Sequence, residues 1–215
     1  MAHPRNLWWL WATLWLAAAA VTAAGATTGL DRTIGTALQT VGRAVPATNL
    51  VWVFGGLPIT LLAVVVAATR RRRGGWLVIG GFVAGLLIEV IGKHFIATPF
   101  PQATPEPAFY RHLESATNLT PQLALHWIGA IVKLPSHAGA HHALFRGSFP
   151  SGHVFRITYA TGALLKSRRQ WTWAIAAAAG FLVVATGGHW AGDVVGGFLL
   201  ARWWLALADP VRVRP

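Results

Sequence analysis

The sequence predicts an all-α, polytopic membrane protein with six transmembrane helices and a large extracytoplasmic loop between helices 3 and 4. Hydrophobic residues make up 54% of the 215 residues, and charged residues make up only 11%. A soluble domain carries about 25% charged residues, so this chain has too few polar side chains to cover a water-facing surface. The chain has 0 cysteines, which excludes disulfides, thiolate nucleophiles and cysteine-ligated metals.

Six segments are apolar enough to cross a bilayer, which requires about 20 residues of helix. The first, second and fifth contain no Asp, Glu, Lys or Arg, whereas the other three carry charges at or inside their ends. Residues 1–215 therefore form one predicted membrane domain. Its spans are residues 7–24, 50–68, 76–96, 152–166, 171–188 and 192–208, and its outer loop is residues 99–149.

Basic residues determine the predicted orientation. The net charge is +12, but the basic residues cluster between apolar segments, which is typical of a membrane protein and argues against a nucleic-acid partner. With the N-terminus inside, ten Lys and Arg residues lie on the inner side and five on the outer side. Both termini are therefore predicted to be cytoplasmic, in a bacterial cytoplasmic membrane. Residues 27–48 are predicted to form an interfacial helix on the outer side.

The polar residues of the spans converge on the outer face of the membrane. Charged residues inside spans cost about 2.5–3.5 kcal/mol each on insertion scales, so they usually face a cavity and mark function. Four separate regions contribute to this face. Their residues are Lys93 at the end of span 3, Ser151, Gly152 and His153 at the start of span 4, His189 after span 5, and Asp193 at the start of span 6.

These residue types fit a phosphate ligand. A helix that starts at the Pro-Ser-Gly-His turn of residues 150–153 directs free backbone N–H groups and its dipole at an anion. Lys93 adds a full positive charge. His189 and Asp193 are four residues apart and share one helix face, so the carboxylate can prepare the imidazole as a nucleophile. His153 is then placed to protonate the leaving oxygen.

The motifs resemble those of the type-2 phosphatidate phosphatase superfamily, which includes lipid phosphate phosphatases, bacterial undecaprenyl-diphosphate phosphatases and vanadium haloperoxidases. The pattern of that family is K-x6-R-P, then P-S-G-H, then S-R-x5-H-x3-D, and the resemblance covers residues 93–193. It implies hydrolysis of a lipid phosphate or diphosphate through a phosphohistidine, without a metal or another cofactor. Polyprenyl diphosphate is the favoured substrate and a phosphatidate-type lipid the next.

The resemblance also implies a role for each matching residue. His189 is the expected nucleophile, Asp193 its charge partner and His153 the general acid. The expected phosphate-binding residues are Lys93, Ser151 and Gly152.

Two arginines of the family pattern are missing. Phe100 stands at the first position, and Leu182 and Val183 stand where the family has Ser-Arg. A bidentate Arg–phosphate contact is a strong charge-assisted bond, so some other cation should replace it. Arg156 is the favoured replacement, because it lies three residues after His153 on the same helix face and inside a span. Weaker candidates are Arg111, Arg146 and His94.

Other interpretations stay open at this point. The missing arginines also fit a catalytically degenerate protein that binds a lipid phosphate. An ion-coupled transporter is a further alternative, in which the proton or ion path would consist of Lys93, Glu89, His189 and Asp193. Glu89 and Lys93 could also form a purely structural ion pair. A haloperoxidase-like vanadate enzyme is disfavoured by six spans and by the absent arginines. In the outer loop, a zinc site is less expected than a solvated segment at His137, His141 and His142.

Overall fold

The computed structural model describes residues 7–44, 50–71, 74–101, 146–166 and 168–208, and every regular element in these ranges is an α-helix. No strand occurs among them. The helices are α1 (Trp8–Ala23), α2 (Thr28–Ala44), α3 (Leu50–Phe54), α4 (Leu57–Thr69), α5 (Gly75–Phe95), α6 (Gly152–Leu164), α7 (Arg169–Ala185) and α8 (Ala191–Ala208). The predicted all-α class is confirmed for the described residues.

Two of these helices, α5 and α8, are long and apolar enough to cross a membrane by themselves. A third span is possible if α1 and residues 28–42 count as one, although the chain bends by 91° between them. The helices α4 and α7 are apolar but shorter. Six spans therefore stay a prediction, as does the outer loop, because residues 102–145 lie outside the described residues.

Helix α6 lies at the centre of the bundle, in contact with α4, α5, α7 and α8. Its aromatic face is completely buried: Phe155 stacks on Phe82 of α5 with ring centroids 5.9 Å apart, and the Tyr159 hydroxyl donates a hydrogen bond of 2.7 Å to the Val78 carbonyl. Such close packing on several sides leaves α6 little freedom to shift. The residues at its N-terminus are therefore held in a fixed position relative to α5.

Helix α2 turns its small and polar face toward the protein. Asp31 is buried and Gly35 packs against the indole of Trp190, where a Cβ atom would lie only 3.0 Å from the ring. The apolar side chains of Leu30 and Val41 are exposed instead. This arrangement suits an interfacial helix with apolar side chains in contact with lipid, and it brings a buried carboxylate to the α7–α8 turn.

Candidate active site

A buried histidine–aspartate pair occupies the turn between α7 and α8. The Nδ1 atom of His189 lies 3.2 Å from Oδ2 of Asp193, and both side chains are almost completely buried. The same carboxylate oxygen accepts a hydrogen bond of 2.9 Å from the backbone N–H of Trp190. A carboxylate at Nδ1 holds a proton on that nitrogen, so the lone pair of Nε2 is available for attack.

A second carboxylate, from a distant part of the chain, holds this turn in place. Asp31 in the first turn of α2 accepts a hydrogen bond of 2.8 Å from the backbone N–H of Gly192. Gly192 lies in the first turn of α8, where backbone N–H groups have no partner within the helix. The sequence analysis did not find this role of Asp31, because 161 residues separate the two partners and no local spacing indicates the contact.

The P-S-G-H motif contacts the α7–α8 turn and the start of α8 directly. Ser151 caps α6, since its Oγ accepts a hydrogen bond of 3.4 Å from the Val154 N–H. The backbone N–H of Ser151 donates to the carbonyl of Asp193 at 2.9 Å. The structure therefore brings together two motifs that are almost forty residues apart in the sequence.

Three charged side chains form an ion cluster beside these motifs, with Glu89 buried and Lys93 and Arg156 half-buried. Nζ of Lys93 lies 2.7 Å from Oε1 of Glu89, and Nη1 of Arg156 lies 3.2 Å from Oε2 of the same carboxylate. The ion pair between Glu89 and Lys93 was one of the open interpretations of the sequence. Its extension to Arg156 was not expected, although Glu89 is the only acidic residue within its apolar helix.

Gly152 is required for the close approach of this cluster to α6. A Cβ atom at this position would overlap the carboxylate of Glu89. Only glycine leaves room for that carboxylate beside the first turn of the helix. The side of Gly152 that lacks a side chain thus faces Glu89. The expected contact of Gly152 with a phosphate stays a prediction.

The guanidinium of Arg156 is surrounded by protein partners. Its Nε donates to the carbonyl of Gly55 at 2.8 Å, Nη1 contacts Glu89, and Nη2 lies 3.5 Å from Nδ1 of His153. Trp52 covers the imidazole of His153 edge-on, with ring centroids 4.4 Å apart. Gly55 and Trp52 belong to the α3–α4 region, which the sequence analysis did not connect with the site. Phosphate binding by Arg156 stays a prediction.

Apolar side chains occupy the two positions of the missing arginines. The ring centroids of Phe100 and His189 are 6.4 Å apart. Val183 is completely buried in an apolar cluster. The indole N–H of Trp190 donates to the carbonyl of Pro99 at 2.7 Å, which holds the segment before Phe100 against the α7–α8 turn.

The weaker candidates from the sequence lie at the margin of this site or outside the described residues. Arg146 is exposed, and the His94 ring packs edge-on against Phe95. Within the described ranges, no group of three or more His, Asp or Glu side chains is arranged to hold a metal ion. Four residues singled out from the sequence lie outside the described ranges: Arg111, His137, His141 and His142.

The arrangement of these helices matches that of a solved membrane phosphatase. The chain superimposes on the crystal structure of a transmembrane PAP2-type phosphatidylglycerolphosphate phosphatase from Bacillus subtilis with a TM-score of 0.63 and 18% sequence identity. The match covers 95% of this chain and 97% of the other. The chain has a PAP2 phosphatase fold. The two chains share this fold over almost their whole lengths.

No protein-family model and no curated protein sequence matches the chain. The PAP2 fold and the apolar helices together indicate a membrane protein.

Proposed function

We propose that the chain hydrolyses a lipid phosphate or diphosphate through a phosphohistidine on His189, with polyprenyl diphosphate the favoured substrate. The observation that carries the proposal is the buried pair of His189 and Asp193, 3.2 Å apart, beside the N-terminus of α6. A histidine oriented by a carboxylate and placed next to an anion-binding helix terminus is suited to attack a phosphorus atom. The PAP2 fold supports this reaction class.

The proposed reaction has two steps. In the first, the lone pair of His189 Nε2 forms an N–P bond, and the P–O bond to the lipid breaks with its electron pair on the leaving oxygen, which takes a proton from His153. In the second, water attacks phosphorus and gives a proton back to His153, the N–P bond returns its electron pair to Nε2, and inorganic phosphate leaves. Asp193 balances the positive charge on the imidazole in the first step.

The phosphate oxygens would be held by positive charge and by backbone donors. Ser151 and Gly152 begin α6 in contact with Asp193 and Glu89, and Lys93 pairs with Glu89. Lys93, Ser151 and Gly152 are proposed as the phosphate-binding group. Phosphoryl transfer depends mainly on positioning and charge stabilisation, because its transition state is loose. A small set of fixed donors is therefore a sufficient framework.

The site is proposed to face the extracytoplasmic side of a bacterial membrane. Arg71 donates to the carbonyl of Ala208 at 2.9 Å, so the basic segment after α4 and the C-terminus of α8 lie at one end of the bundle. The site lies at the opposite ends of α5 and α8. The excess of basic residues on the inner side supports this orientation.

Phosphate release from a panel of lipid phosphates tests the proposal. The purified full chain in detergent micelles should release inorganic phosphate from at least one lipid diphosphate or monophosphate, with or without a chelator. The variant His189→Ala should release none, and Arg168→Ala, at the opposite end, should match the unsubstituted chain. Undiminished release by His189→Ala would overturn the assignment of the nucleophile.

A second candidate function is binding of a lipid phosphate without catalysis. The observation that favours it is the phenyl ring of Phe100 beside His189, where the family pattern has a phosphate-binding arginine. This alternative predicts saturable binding of the lipid and no phosphate release from any member of the panel.

A further inference from the structure

The imidazole of His153 lies in a cradle to which the α3–α4 region contributes two sides. The indole ring of Trp52 meets it edge-on, with ring centroids 4.4 Å apart and an angle of 79° between the two planes. Gly55 lies so close that a Cβ atom there would be 2.7 Å from Cδ2 of the imidazole. On a third side, Nη2 of Arg156 lies 3.5 Å from Nδ1. These contacts leave Nε2 as the ring nitrogen that can face a leaving oxygen.

The backbone of α6 does not determine the direction of this ring. The χ2 torsion of a histidine has broad minima, so the helix fixes where the side chain begins but not which way the imidazole faces. An edge-on contact between two rings is a favoured arrangement of aromatic side chains. The orientation of His153 therefore depends on Trp52 and Gly55, which lie outside the three sequence motifs.

The same indole ring also reaches the segment that carries the nucleophile. Atoms Cη2 and Cζ2 of Trp52 lie so close to Gly188 that a Cβ atom on this glycine would overlap them. Gly188 directly precedes His189 in the sequence. Trp52 is thus in contact with the proposed general acid on one side and with the residue before the proposed nucleophile on the other.

Shape, and not a hydrogen bond, holds Trp52 in this position. Its indole N–H is buried and has no hydrogen-bond partner among the described residues. The ring packs against the apolar cluster that contains Val154 of α6 and Val183 of α7. Val183 stands where the family pattern has an arginine, so this chain offers an apolar surface to the indole at that place.

We infer that Trp52 is a positioning residue that holds the imidazole of His153 at a fixed place relative to His189. The inference rests on the proposed function and deepens it. In phosphoryl transfer the attacking and leaving groups lie roughly in line, so the two histidines act on opposite sides of one phosphorus atom. Their spacing must match that line, and Trp52 occupies the space between His153 and the backbone that leads into His189.

A double-mutant cycle tests the inference on a lipid phosphate that the purified full chain hydrolyses in micelles. Trp52→Ala should lower kcat/KM by about tenfold to a hundredfold, mainly through kcat, because a misplacement of about 1 Å can cost a hundredfold. In a His153→Ala background the same substitution should cause little further loss, since Trp52 acts through His153. Losses that multiply would overturn the inference. Trp76, 73% exposed at the other end of α5, offers the control Trp76→Ala, with no loss expected.

The leaving group separates misplacement of the acid from a general loss of structure. An alkoxide needs a proton from a general acid as it departs, whereas a nitrophenolate is stable as an anion. Trp52→Ala should therefore lower kcat/KM much more for an alkyl phosphate than for a nitrophenyl phosphate with the same apolar tail. Equal losses on both substrates would show that Trp52 has a structural role only.

The contact with Gly188 allows a matched pair of substitutions in which the ring is kept. Trp52→Phe removes the ring edge that faces Gly188 and no described hydrogen bond, so kcat should fall less than in Trp52→Ala. Gly188→Ala puts a methyl group where the indole lies and should lower kcat by itself. Together the two changes conserve volume, so the double variant should exceed Gly188→Ala in kcat, and failure to do so would contradict the proposed contact. A rise in KM at constant kcat in Trp52→Phe would instead make the indole N–H a substrate donor and refute the positioning role.

An NMR measurement decides the contact independently of activity. In protein with ¹³C-labelled histidine, the ring protons of His153, assigned by comparison with His153→Gln, should change their chemical shifts in Trp52→Ala, because the ring current of the indole is lost. They should keep their shifts in Trp76→Ala. Unchanged shifts in Trp52→Ala would overturn the inference. If the unsubstituted chain hydrolyses no lipid phosphate, the proposed function fails, and this comparison still shows whether Trp52 holds His153.

Discussion

The carboxylate of Asp31 accepts a hydrogen bond of 2.8 Å from the backbone N–H of Gly192, which joins α2 to the first turn of α8. Asp31, Glu89 and Asp193 are the acidic residues in the described part of the chain, and all three are buried. Each has a partner at the candidate site. Because burial of an unpaired carboxylate is costly, these partners are required by the fold as well as by the proposed chemistry.

Loss of the Asp31 carboxylate should loosen the turn between α7 and α8, which Asp31 holds through Gly192. Asp31→Ala removes a helix-capping acceptor, which typically costs about 1–2 kcal/mol of stability, and should lower both the melting temperature in micelles and kcat. Asp31→Asn keeps an oxygen acceptor for Gly192 and should retain most of both. The exposed neighbour Arg32 offers the control Arg32→Ala. Equal behaviour of Asp31→Ala and this control would contradict the role.

Asp193 should matter for turnover more than for substrate binding. In Asp193→Asn the amide can no longer balance a charged imidazole on His189, so kcat should fall by roughly 10²–10⁴, the range of general catalytic and triad effects. KM should change little, because Asp193 is buried behind His189. Initial-rate kinetics of phosphate release give both constants. A rise in KM at constant kcat would instead place Asp193 in substrate binding.

Phe100 offers a test of the missing arginine. The ring lies 6.4 Å from His189 and is 40% exposed, so the longer arginine side chain of Phe100→Arg can reach a phosphate held there. A hydrogen bond to a charged group contributes about 1.5–3 kcal/mol, so KM should fall by about tenfold or more. Phe100→Leu is the matched control, with no gain expected. An unchanged KM in Phe100→Arg would show that the phosphate lies elsewhere.

Cysteine labelling tests the proposed sidedness, since the natural chain contains 0 cysteines. Ala26, in the exposed turn between α1 and α2, is predicted to lie outside, and the exposed Lys166 inside. An impermeant thiol reagent should label Ala26→Cys in intact cells and Lys166→Cys only after permeabilisation. The reverse pattern would place the site in the cytoplasm.

Tyr159 should contribute to stability without affecting catalysis. Tyr159→Phe removes the 2.7 Å hydrogen bond to the Val78 carbonyl, which typically costs about 1 kcal/mol. The residue lies about 9 Å along α6 from His153, at 1.5 Å per residue. The melting temperature should therefore fall while kcat/KM is preserved. A large loss of kcat/KM would show that the α5–α6 contact also positions the site.

Much of the candidate site could be predicted from local patterns in the sequence. The sequence predicts that His189 and Asp193 lie side by side, and the structure has them 3.2 Å apart. The predicted shared helix face is wrong, because His189 lies in the turn before α8 and only Asp193 is helical. Likewise, a helix is predicted to start at the Pro-Ser-Gly-His turn, and α6 begins at Gly152 with Ser151 as its cap. The all-α class follows from the scarcity of charged residues, since a membrane-embedded backbone must satisfy its own hydrogen bonds.

Only the tertiary structure decided which distant groups share the site. Arg156 contacts Gly55 and Glu89, which are 101 and 67 residues away in the sequence. Asp31 contacts Gly192, which is 161 residues away. Helical periodicity predicts neighbours within one or two turns and carries no information about which helices pack together. The sequence by itself therefore determined the all-α class, the proximity of His189 and Asp193 and the helix start at the Pro-Ser-Gly-His turn. The packing of α3, α4 and α5 around α6, and of α2 against α7 and α8, decided which distant polar groups meet.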